Sequence, residues 1–117
     1  MEKTLIIDGR EVRLKATAAV PRLYRIKFRR DIMVDMAELD KLVKKAKEKG
    51  ESIPPEALDL FENIAYIMAK HADKDNVPGT PEEWLDSFET FSIYVILPEI
   101  RELWGLNTET TANSKKK

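Results

Sequence analysis

The sequence predicts a mainly α fold of the α+β type: an N-terminal β-hairpin, a bundle of about four to five helices within 18–106, and a disordered tail over 107–117. Three observations carry this expectation. An Asp8-Gly9 pair separates two alternating apolar runs, several apolar series at helical spacing follow with their own start and stop signals, and the final stretch "NTETTANSKKK" has no apolar periodicity. With 117 residues, 43% of them hydrophobic and 35% charged, the chain suits one domain over 1–106, long enough for a core without disulfide or metal staples.

The hairpin, expected over 3–15, comes first because Gly9 supplies the positive φ that a two-residue type I′ turn demands. Centring the turn on Asp8-Gly9 pairs Ile7 with Arg10, Leu5 with Val12 and Lys3 with Leu14. Leu5, Ile7, Val12 and Leu14 then share one face, and Thr4, Ile6, Glu11 and Arg13 take the other. A lone hairpin is marginal in water, so the apolar face must lie on helices or on a neighbouring chain.

Pro21 suits a first helical turn and predicts a helix from about 20 to 31, with Thr17 as the cap if the helix begins a few residues earlier. Over 35–49, Met36, Leu39, Leu42, Val43 and Ala46 recur at helical spacing, acids precede lysines, and Gly50 ends the series. A third helix starts at Pro54-Pro55 and runs to about Ala72; its apolar positions, Leu58, Phe61, Ile64, Ala65, Ile67 and Met68, make it the central buried helix. Thr80, Pro81 and Glu83 form a capping box that opens a further helix. From Trp84 to Leu106 the pattern is apolar almost all round, with an interruption or kink expected at Pro98. Such a segment is either enclosed core or partly exposed for a partner, and Phe91, Tyr94 and Trp104 are the candidates to reach one.

Without cysteine, disulfide frameworks, thiolate zinc sites and cysteine nucleophiles are excluded, and an intracellular location is the default. The start "MEKTLIIDGREV" falls far short of a signal-peptide core, and no run approaches the roughly 18 apolar residues of a membrane span. His71, the single histidine, is expected to be a partly exposed helix-end residue that the helix C-terminus favours when protonated. Glu82, Glu83, Asp86 and Glu89 occupy the region of a helix start, where acids stabilise the dipole. The four glycines are too scattered for a phosphate loop. No catalytic residue, cofactor site or metal site is expected.

Net charge is −1, but residues 1–30 hold nine Lys/Arg against three Asp/Glu, while 51–109 hold three against thirteen. Within "VPRLYRIKFRRD", Arg22, Arg25 and Arg29 share a helix face. That face could meet phosphate, with Tyr24 and Phe28 to stack on bases, or the acids of the C-terminal half, in the same chain or the next subunit. A small nucleic-acid-binding regulator using 13–30 is the alternative functional expectation.

Three strings, "IDGREVRLKATAAVPRLYRIKFRRDI", "FENIAYIMAKHAD" and "TPEEWLDSFETFSIYVILPEIRELW", resemble in that order the small tail assembly chaperones of long-tailed phages and prophages of Gram-positive bacteria. The resemblance covers about 3–106 and carries no catalytic or ligand residues. It implies a non-enzymatic, oligomeric protein of the bacterial host cytoplasm, absent from the mature virion. Such a protein solubilises the tape measure protein and helps recruit tail tube protein around it. The resemblance also implies that a longer, frameshifted form is made in many members; the terminal Ser114-Lys115-Lys116-Lys117 is compatible with a slippery codon run.

Overall fold

A computed structural model describes residues 1–116, with side chains for 1–105. The elements are β1 (Glu2–Ile7), β2 (Arg10–Lys15), α1 (Val20–Phe28), α2 (Ile32–Lys49), α3 (Pro55–Ala72), α4 (Pro81–Asp86) and α5 (Ile93–Lys116). The tail expected over 107–117 lies outside the residues whose side chains are described.

The hairpin has the expected register, with Ile7 opposite Arg10, Leu5 opposite Val12 and Lys3 opposite Leu14. Asp8 and Gly9 take φ values of 55° and 77°, the two left-handed residues of a type I′ turn. Leu5, Ile7, Val12 and Leu14 are buried and Thr4, Ile6, Glu11 and Arg13 are exposed. The apolar face is covered within the chain, because β2 packs along α3. The hairpin tip is also clasped from outside. Asp8 Oδ2 accepts from the Glu89 N–H at 2.8 Å, Arg10 Nη2 donates to Ser87 Oγ at 2.7 Å, and the Arg10 guanidinium stands 3.9 Å above the Phe88 ring centroid.

The third helix is the centre of the fold. α3 touches β2, α1, α2, α4 and α5, and nine of its side chains are buried, Phe61, Ile64, Tyr66 and Met68 among them. Apolar residues occur all round this helix, which only a buried helix can satisfy.

Helix ends follow local chemistry where the sequence carries it. Thr80 accepts from Glu83 N–H at 3.2 Å while its hydroxyl meets Glu83 Oε1 at 3.1 Å, closing the capping box. Gly50, at φ 66°, completes a Schellman motif in which Gly50 N–H donates to Lys47 O and Glu51 N–H to Ala46 O.

Three boundaries differ from expectation. First, α1 stops at Phe28, since Arg29 adopts a left-handed conformation (φ 59°) and Asp31 caps the next helix, accepting from Met33 and Val34 N–H. That cap also starts α2 three residues early. Second, Ala19 and not Thr17 occupies the cap position of α1; Thr17 Oγ1 accepts from Ala19 N–H one turn ahead. Third, the break in the C-terminal apolar segment falls at 87–92, and α5 continues through Pro98. Pro98 is exposed, so water can serve the Tyr94 carbonyl that the missing N–H would have bonded. At the break, Asp8 and Arg10 bond the backbone of 87–89, and Phe88 and Phe91 lie against Trp84 at centroid distances of 5.3 and 5.2 Å.

Candidate protein-binding site

Of the three arginines expected to share a helix face, Arg22 and Arg25 lie on α1, and Arg29 stands just past its end in a left-handed conformation. Arg22, Arg25 and Arg29 are all exposed, and none has an ion-pair or hydrogen-bond partner side chain among the described residues. Among the described residues they do not meet the acids of the C-terminal half. Other N-terminal cations do: Lys3 bridges Glu99 and Glu102 on α5, and Arg13 approaches Asp73 at 3.6 Å beyond α3. Between the arginines, Ile26 is 62% exposed, and Met33 and Val34 at the start of α2 are also open to solvent. Val20 and Tyr24 are buried instead, with Leu23 and Phe28 half-buried, so α1 presents a basic face with an apolar centre.

The three aromatic candidates separate. Trp104 is buried, 7% exposed, in the core. Phe91 is half-buried against Phe61, Trp84 and Phe88 and is part of an aromatic cluster. Tyr94 is 65% exposed at the start of α5, beside the equally exposed Val95. Val95 and the exposed Ile6 of β1 line one groove between the hairpin and α5, with Lys3 and Glu99 at its edge. Sequence reasoning placed Ile6 on the outer hairpin face but did not single out Ile6 or Val95. The available signal was an isoleucine at a solvent position of an amphipathic strand.

A buried carboxylate joins α1 and α2. Asp35, 1% exposed, accepts from Tyr24 Oη at 2.6 Å, Arg30 Nε at 2.7 Å and Arg30 Nη2 at 2.8 Å. Burial opposes ionisation of Asp35, but the Arg30 guanidinium and the Tyr24 hydroxyl together outweigh it and hold the carboxyl below its usual range. Burial, and then the Asp35 charge, push the Tyr24 hydroxyl up. Both carboxylate oxygens are held by Tyr24 and Arg30, so Asp35 orients the α1–α2 corner.

His71 sits in the last turn of α3 with Nε2 2.8 Å from Thr17 Oγ1 and a buried, unpartnered Nδ1. Burial, followed by Lys15, Lys74 and the amino terminus, lowers its pKa, so the neutral imidazole is favoured. This corrects the expectation of a helix end favouring the protonated form: the carbonyl dipoles are outweighed by desolvation and neighbouring cations. Among the described residues there is no group of three or more His, Asp or Glu able to hold a metal, and no helix is long and apolar enough to cross a membrane. No known protein family, curated protein or solved structure matches the chain.

Proposed function

We propose that this chain is a phage tail assembly chaperone, a non-enzymatic protein that binds and solubilises the tape measure protein and helps recruit tail tube subunits. It would act as a homo-oligomer in the cytoplasm of the bacterial host and be absent from the finished virion. The observation that carries the reading is exposed apolar surface on α5 and the hairpin: Ile6 and Val95 line one groove between them, and Tyr94, next to Val95 in sequence, is equally exposed. A protein that coats an aggregation-prone client needs apolar surface on offer, and here it lies on two packed elements. The resemblance of the three sequence strings supplies the client's identity. Co-expression with the tape measure product of the same operon tests it: the client's soluble fraction rises with the wild-type chain, and an unchanged fraction overturns the proposal.

One observation favours a second reading. Arg22, Arg25 and Arg29 are exposed and unpaired among the described residues, and together they could track a phosphate backbone. A DNA titration separates the two, since phosphate binding weakens steeply from low to moderate salt and client binding through apolar side chains does not.

A further inference from the structure

α1 and the C-terminal half of α3 enclose an open groove of about 480 Å³. Its floor is apolar, built from Leu23, Ile26 and Ile67, and its rim carries Lys27, Lys70 and Lys74. No carboxylate lines it among the described residues. Two of the rim ammonium groups are fixed by neutral backbone carbonyls: Lys27 Nζ donates to Gly79 O at 2.6 Å, and Lys70 Nζ donates to Lys74 O at 2.8 Å and Val77 O at 2.6 Å. These bonds set where the charges stand without cancelling them. None of the ion pairs among the described residues includes a rim lysine.

We propose that this groove binds an acidic amphipathic helix of a partner protein, with the apolar ridge on Leu23, Ile26 and Ile67 and the flanking carboxylates on Lys27, Lys70 and Lys74. Charge complementarity chooses the acid, because three uncompensated cations border one cleft. The floor chooses an amphipathic partner: Ile26 remains mostly exposed in the free chain and a nucleic-acid backbone would leave it so. The groove runs between two helices with no strand among its lining, so strand addition has no edge to extend, whereas a helix laid between helices places apolar side chains at i, i+3, i+4 and i+7. This inference goes beyond the chaperone reading and does not depend on it, since it names the chemistry of a partner segment and not its source.

The test uses the full-length chain and a fluorescein-labelled synthetic peptide of about 20 residues, long enough to be helical, with leucine at helical spacing and glutamate elsewhere. Saturable binding by fluorescence anisotropy is expected. Ile26→Asp and Lys74→Glu should each weaken it about tenfold. Both side chains are exposed, so circular dichroism should report an unchanged fold, and Lys74→Glu keeps the test decisive should Ile26→Asp perturb α1. Backbone amide shifts on peptide addition should fall at 23–27 and 66–74. The proposal is overturned by absence of saturable binding or by equal binding of a peptide with the same composition in scrambled order. It is equally overturned by shifts confined to other residues, by a Lys74→Glu variant that binds like wild type, or by displacement of the peptide by vesicles of anionic phospholipid or by single-stranded DNA.

Discussion

Removing the Arg30 side chain should invert the local pH dependence of stability. In the folded chain Asp35 is 1% exposed and accepts three bonds, two of them from Arg30 at 2.7 and 2.8 Å. Arg30→Ala leaves a buried carboxylate with Tyr24 as its remaining partner. Breaking a fully buried pair costs about 3–5 kcal/mol, and losing an exposed one about 0–1 kcal/mol. Arg30 is itself half exposed, so solvent screens the pair and the expected loss at neutral pH is about 2 kcal/mol. The sign of the pH effect follows from the balance on Asp35. With Arg30 present, the depressed carboxyl contributes stability above the unfolded-state value of about 3.9 and loses it as pH falls through the lower folded value. With Arg30 gone, burial exceeds the Tyr24 hydrogen bond and the folded pKa lies above the unfolded one. The protonated form is then favoured by folding, so relative stability is regained as the medium is made mildly acidic and lost as pH rises. Urea denaturation followed by circular dichroism at neutral and mildly acidic pH measures both effects. A loss under about 0.5 kcal/mol at neutral pH, or the same pH trend in both proteins, would refute the assignment of Arg30 as the group that keeps Asp35 ionised.

Four other outcomes are expected. Trp104→Ala should destabilise by about 3–5 kcal/mol in thermal or chemical melts because it empties core volume, whereas Tyr94→Ala should stay within about 0.5 kcal/mol and instead lower client solubilisation in co-expression. Thr80→Ala should cost about 1 kcal/mol by removing the α4 cap, read as a lower urea midpoint with an unchanged slope. Arg29→Gly should stabilise by up to about 1 kcal/mol by relieving a left-handed non-glycine residue, while an association that uses this arginine weakens. Reversing Arg22, Arg25 and Arg29 to glutamate should shift the oligomer distribution in light scattering with little change in melting; an unchanged distribution removes these arginines from any subunit contact.

Much of the fold was legible because its signals are local. A two-residue turn with Gly9 fixes hairpin register, Gly50 and Thr80 end and start helices through bonds spanning at most five residues, and the apolar circumference of 55–72 requires burial. What escaped depends on distant partners. Ser87 and Ser92 in "SFETFS" are weak local signals for a helix end and a new start, and the contacts that hold the break, from Asp8 and Arg10, come from about eighty residues earlier in sequence. Asp31 was legible in principle, being an N-cap residue type before an apolar series, but the arginines preceding it extended the apparent helix. The aromatic candidates, by contrast, separate by helical phase: Ile93, Ile96, Leu97, Ile100, Leu103 and Trp104 are buried at helical spacing and Tyr94 falls off that stripe, a signal masked by the unbroken apolar run at 93–97.

The charge asymmetry, too, resolves into two different things once placed in space. Lys3 and Arg13 fasten the hairpin to the acidic half of the same chain, so part of the imbalance is internal glue between early and late elements. Arg22, Arg25 and Arg29 are not used in this way, and the chain tolerates a left-handed backbone at Arg29 where glycine would sit without strain. A solvated face needs charge but has no need of a strained arginine. If Arg29→Gly proves more stable yet associates less well, then what holds an arginine at that position is a carboxylate or phosphate on another molecule; if it is both more stable and equally competent, the arginine row is a solubilising surface and binding must be sought on the Ile6, Tyr94 and Val95 face or in the lysine-rimmed groove.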